Sequence, residues 1–187
     1  MHGLRHHQFD LEAYFELELE SATKFEFCDG AILAMAGGTL QHSRLAGNAY
    51  AALRARIGKT CEAFNSDQRV ATGDGVHTYP DAMVVCGPAQ TTQHRGTETV
   101  HNPSVIVEVL SPSTRAYDLG EKLDHYKTTP GLQDVLFVEA ESIDVLHVWR
   151  TEAGWEQRRF TSPTASVPIR ALGRRLPVKE LYVGAQV

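Results

Sequence analysis

Apolar and polar residues alternate with a period of two through Lys24-Phe25-Glu26-Phe27-Cys28, the pattern of a half-buried strand. The pair Asp29-Gly30 and the run Ala31 to Ala36 predict a hairpin, broken by Gly37-Gly38. Upstream, Asp10 to Leu19 predicts a helix with Asp10 as N-cap and Glu12 and Glu16 outward. Helical spacing returns from about Leu40 to Ile57, where Leu45, Ala49, Ala52, Leu53 and Ile57 share a face. Two strand segments follow, Cys61 to Ala71 and His77 to Cys86, across the hairpin signal Thr72-Gly73-Asp74-Gly75. Gly87 to Pro103 is polar and aperiodic, which fits either a functional loop such as a lid or a disordered surface excursion. Ser104 to Leu110 reads as a central strand ended by Ser111-Pro112-Ser113, Asp118 to Lys127 as a helix, and Val135 to Val138 as a strand. Asp144 to Trp149 and Trp155 to Phe160 form a further hairpin, and Leu181-Tyr182 a packed end segment. With no repeat or low-complexity stretch, the pattern predicts one α/β domain over residues 1–187, a mixed β-sheet flanked by helices.

Composition narrows the classes only slightly. A chain of 187 residues can bury a proper core. Its net charge of −5 does not advertise a nucleic-acid binder, so phosphate contacts would fall to local clusters: Arg54/Arg56/Lys59, Arg158/Arg159 or Arg174/Arg175. Such clusters are usually solvated faces. No apolar run is long enough to span a membrane, and the first residues lead into acidic sequence rather than a signal core. A cytoplasmic location is the resulting expectation. Cys28, Cys61 and Cys86 are widely spaced with no CxxC pair, which predicts small buried hydrophobes rather than a zinc knuckle or a disulfide framework.

Two acids interrupt this apolar pattern. Asp81 opens the strand Tyr79-Pro80-Asp81-Ala82-Met83-Val84-Val85-Cys86, and Glu108 lies inside Val105-Ile106-Val107-Glu108-Val109-Leu110. A carboxylate on a buried strand is costly unless its charge is compensated. Two on neighbouring strands repel, so a cation between them or a shared proton is required. A divalent metal is the leading explanation. In the helix that follows, Leu119, Lys122, Leu123 and Tyr126 fall on one stripe. Lys122 could snorkel to solvent. The helix leaves the end of the Glu108 strand, so it could equally send its ammonium over the carboxylates.

An aspartate after proline, a glutamate on the next core strand and an inward lysine resemble the PD-(D/E)XK nuclease superfamily, the restriction-endonuclease-like fold. The surroundings sharpen the likeness. Phe25 to Gly30, Met35-Ala36-Gly37-Gly38, His42 at a helix start, Tyr79-Pro80-Asp81, and Glu108-Val109-Leu110-Ser111-Pro112-Ser113 with Asp118 and Lys122 are similar to the Uma-type family, long catalogued as a domain of unknown function. The resemblance runs from about Phe9 to Val148. One departure from the superfamily pattern matters: its lysine two residues after the second acid is Leu110 here, so Lys122 is the candidate.

The resemblance implies a metal-dependent endonuclease. Asp81 and Glu108, with the Val109 carbonyl, would hold Mg²⁺ or Mn²⁺, hard cations that favour oxygen ligands. Lys122 would orient the nucleophile or stabilise phosphate charge, and Glu26 would complete the acidic pocket as the family's N-terminal glutamate. His42 is either a polar cap or a substrate contact. Gln68, with Asp67, could point into the cleft. Asp118 fits an N-cap and Tyr126 fits the core. Ser111 and Ser113 lack a GxSxG elbow, which argues against a serine hydrolase. The expected partner is nucleic acid, DNA first, with no membrane; a homodimer would suit cutting both strands. The competing expectation is an inactive nucleic-acid or protein interaction module on the same fold, which the displaced lysine and acidic charge favour. A structural metal or proton-sharing pair is a third.

Overall fold

In a computed structural model describing residues 8–35, 37–94 and 96–187, the alternating segments pair into two six-stranded sheets and a two-stranded ribbon. Helix α1 (Leu11–Glu20) starts where the Asp10 carboxylate accepts the Ala13 N–H at 2.8 Å. Strands β1 (Phe25–Cys28) and β2 (Ala31–Ala34) form the expected hairpin. Its turn needs two left-handed residues in succession, and Asp29 (φ 48°) and Gly30 (φ 82°) supply them. Ala36, which the sequence pattern adds to β2, lies outside the described residues. Thr39 caps α2 (Leu40–Arg54), which buries Leu45, Ala49, Ala52 and Leu53.

The two long strands expected next are each divided. β3 (Cys61–Asn65) and β6 (Ala82–Cys86) pair antiparallel in one sheet, while β4 (Arg69–Ala71) and β5 (His77–Thr78) pair in the other. Local chemistry makes the breaks. Asn65 accepts the Asp67 N–H in a side-chain turn, and Pro80 has no N–H to give a ladder. The β3–β6 register sets Cys61 opposite Cys86, and the two are joined in a disulfide. The expectation of three unpaired cysteines is corrected by this register; only Cys28 is free. The polar stretch Gly87 to Pro103 is corrected too, because it holds the hairpin β7 (Thr91–His94) and β8 (Thr97–Val100), with β8 parallel to β4. Threonine favours strands without leaving an apolar periodicity to read.

β9 (Val105–Leu110) is buried along its whole length, between β6 and the parallel β10 (Asp134–Glu139). β11 (Val145–Thr151) and β12 (Gly154–Phe160) complete that sheet in the order β12-β11-β10-β9-β6-β3. A ribbon of β13 (Ser166–Ile169) and β14 (Arg174–Pro177), not anticipated from the sequence, leads into α5 (Val178–Leu181). Between β9 and β10 the chain forms α3 (Arg115–Tyr117), a π-helical turn (Asp118–Lys122) and α4 (Leu123–Thr128) without interruption. The two faces of β9 enter different cores: Val105, Val107 and Val109 pack with α2 and the C-terminal segment, Ile106 and Leu110 with Leu123 and Tyr126. The second face carries Glu108.

Candidate active site

The β6–β9 ladder ends at the pair Ala82↔Val107, so Asp81 faces Glu108 one step beyond it. There the Asp81 side chain takes over from the backbone, and its Oδ2 accepts the Val109 N–H at 2.7 Å. Val109 thus reaches Asp81 through its amide. The π-helical turn brings a third element over the same strand end. Its i→i+5 bonding adds a residue to the helical circumference, and both Asp118 and Lys122 are buried there. Lys122 Nζ lies 2.9 Å from Glu108 Oε1, 3.0 Å from Glu26 Oε1 on β1, and 3.8 Å from Asp118 Oδ1. Tyr126 donates its hydroxyl to Glu108 Oε1, and Thr78 donates to Glu26 Oε1. On the far side, His42 Nε2 stands 3.4 Å from Asp81 Oδ2. Gly38 makes room for that ring: a Cβ there would come within 3.0 Å of His42 Nδ1.

The structure therefore brings Asp81, Glu108, Lys122 and Glu26 together, with His42 beside Asp81. The N-cap of α2 is Thr39, not His42. Gln68 is not part of the group, since its amide donates to the carbonyls of Arg69 and Glu98, and Asp67 pairs with Lys24 at 2.6 Å. Asp118, expected as a helix cap, sits inside the π-helical turn and faces Lys122 instead. Its i, i+4 spacing from Lys122 was the available signal. Tyr126 is core as expected, yet its buried hydroxyl needs a partner and finds it in Glu108.

Electrostatically the group is short of positive charge. Burial raises the pKa of Asp81, against the pull of His42, the Val109 N–H and Lys122. Burial also pushes Glu108 up to about 8 despite Lys122, with Asp81 and Asp118 adding to the rise. Asp118 is raised for the same first reason. For Lys122, burial favours the neutral amine, but Glu108, Tyr126, Glu26 and Asp118 outweigh it and hold the pKa well above the ordinary lysine value. Among the described residues, no donor is hydrogen-bonded to Asp81 Oδ1 or Glu108 Oε2. An all-oxygen donor set with spare lone pairs suits a hard divalent cation.

The family model of Uma2, described as "Putative restriction endonuclease", matches residues 11–179. The chain belongs to this family. Two Synechocystis proteins are similar to this chain over most of their own length. Uncharacterized protein slr1290 is 31% identical over 176 residues, covering 92% of this chain and 90% of its own. Uncharacterized protein sll1609 is 35% identical over 136 residues, covering 72% and 76%. A crystal structure from Anabaena variabilis, titled as a "putative nuclease belonging to DUF820", superposes with a TM-score of 0.72 at 19% identity, over 91% of this chain and 97% of that one. At that identity the likeness carries the fold, and the mixed sheet with flanking helices agrees with the restriction-endonuclease-like expectation. In this Uma2 chain the position two residues after Glu108 is filled by Leu110, which is packed into the core with Leu123. No described helix is long and apolar enough to cross a membrane.

Proposed function

We propose that this chain is a metal-dependent endonuclease that hydrolyses phosphodiester bonds in nucleic acid at the site formed by Asp81, Glu108 and Lys122. The observation that carries this reading is the Lys122 ammonium between Glu108 and Glu26, at the strand end that Asp81 closes. Asp81 and Glu108 would hold Mg²⁺ or Mn²⁺, with the Val109 carbonyl as a further ligand. When bound, such an ion lowers the pKa of a water and offsets charge on the phosphate. Glu108, Glu26 and Asp118 hold the Lys122 pKa above the ordinary lysine value, so its ammonium would serve as a cation toward the phosphate. Tyr126 holds one Glu108 oxygen in place and leaves the other for the ion. Glu26, itself held by Thr78, fixes the position of the Lys122 ammonium. His42, beside Asp81, is placed to meet a substrate phosphate at the rim.

Calorimetric titration of Mn²⁺ into wild type, Asp81→Ala and Glu108→Ala tests the ion site. Single- and double-stranded DNA and RNA with Mg²⁺ then test the chemistry. The expected result is binding in wild type alone and metal-dependent cleavage lost in Asp81→Ala and Lys122→Met. Metal binding without cleavage of any substrate would leave an interaction module; no metal binding, with oligonucleotide present, would end the nuclease reading.

A further inference from the structure

On the other side of the segment that carries Lys122, a second group of donors converges. Cys28 ends β1, Asp29 occupies the hairpin turn, Glu121 lies in the π-helical turn and His125 follows it one helical turn later. One ligand atom from each lies within 4.8 Å of all the others. Cys28 Sγ is 3.3 Å from His125 Nε2 and 3.8 Å from Glu121 Oε1, and those two are 4.0 Å apart. Four ligand atoms around a tetrahedral ion, each bonded at about 2.0–2.3 Å, stand roughly 3.3–3.8 Å apart. The donors are thus already near that spacing.

We propose that Cys28, Asp29, Glu121 and His125 form a site for a divalent transition metal of the zinc type, separate from the all-oxygen site at Asp81 and Glu108. The donor set decides the class of ion. A thiol and an imidazole select a borderline-soft cation, whereas Mg²⁺ and Mn²⁺ prefer oxygen. The imidazole is also prepared for the role. His125 Nδ1 meets Asp74 Oδ2 at 2.7 Å, and Asp74 is held in turn by Thr72 and Thr128. A carboxylate on one ring nitrogen keeps the proton there and leaves the Nε2 lone pair facing Cys28. On binding, the ion replaces the Cys28 thiol proton, which leaves to solvent, and a metal–thiolate bond forms. No oxidation change is involved. Cys28 and Glu26 share β1, while Glu121 and Lys122 are adjacent, so the ion would staple together the two elements that meet in the Glu26–Lys122 ion pair. This inference stands independently of whether the other site is a nuclease.

The test uses metal-free, non-reduced full-length protein with excess Mg²⁺ present, and Co²⁺ as the probe. Cobalt should produce a thiolate-to-metal charge-transfer band that Zn²⁺ abolishes. The band should survive in Asp81→Ala and vanish in Cys28→Ser. Asp74→Asn should weaken zinc binding roughly 10–100-fold. Absence of the band in wild type, or its persistence in Cys28→Ser, would overturn the proposal. If Cys28→Ser fails to fold, alkylation of wild-type Cys28 by iodoacetamide, read by peptide mass spectrometry, takes its place. Zinc should slow the reaction; equal rates with and without zinc would mean that Cys28 and His125 share only a hydrogen bond.

Discussion

Replacing Lys122 by methionine keeps an unbranched side chain one atom shorter and removes its charge from a place where three carboxyl groups face it. Nζ lies 2.9, 3.0 and 3.8 Å from Glu108, Glu26 and Asp118, and all four side chains are at least nine-tenths buried. Breaking a buried ion pair by deleting one partner costs roughly 3–5 kcal/mol, because the other charge is left uncompensated. For a chain of this length each kcal/mol moves Tm by roughly 2–4 °C, so Lys122→Met should melt about 6–20 °C below wild type. The cost should also depend on pH with a definite sign. Burial already raises the Glu108 pKa to about 8 in the fold, above its ordinary 4.5, and losing the ammonium raises it further. A carboxyl whose folded pKa is raised contributes stability that is full below the unfolded pKa and lost as pH rises through the folded one. The variant's deficit should therefore be smaller at about pH 5 than at about pH 9. Urea unfolding at both values, in metal-free buffer, measures this. Adding Glu108→Gln to Lys122→Met should recover part of the loss, since a neutral amide still accepts from Tyr126, with a coupling of roughly 0.5–3 kcal/mol. A loss below about 1 kcal/mol, or additive single and double effects, would refute the charge argument.

Three further outcomes are expected. His77, packed among Tyr14, Phe15 and Phe27 and 5% exposed, has its pKa driven by burial from 6.5 down to about 4. Its neutral ring therefore stabilises fully above the unfolded pKa and loses that contribution as pH falls toward the folded one, on the order of 2 kcal/mol by about pH 5. Urea midpoints at about pH 7 and about pH 5 should diverge less in His77→Leu than in wild type; equal divergence would rule it out. Gly73→Ala should cost roughly 1–3 kcal/mol or more by overpacking, because a Cβ there would meet the Thr128 carbonyl oxygen at 2.2 Å; an unchanged denaturant midpoint would contradict this close approach. Thiol titration of denatured, non-reduced protein should find one reactive cysteine, Cys28, and two more after reduction.

The amino-acid sequence by itself determined the period of each element and hence which acids were out of place. Period two placed Glu108 on the face of Ile106 and Leu110, and the helical stripe placed Lys122 with Leu123 and Tyr126, because those relations are local and fixed by backbone geometry. The Asp10 cap and the Asp29-Gly30 turn were legible for the same reason. Only the tertiary structure decided what depends on register and on which sheet a segment joins. It split the two strands around Asn65 to Asp67 and Pro80, set Cys61 opposite Cys86, and turned a polar stretch into the β7–β8 hairpin. It moved Asp118 from a helix cap to the side of Lys122, and it left Gln68 outside the site. Pairing partners far apart in the chain are selected by the packing of whole sheets, and no short window of residues contains that information. The Cys28–His125 group is of this kind: β1 and α4 are almost a hundred residues apart, and their meeting was decided where Lys122 met Glu26.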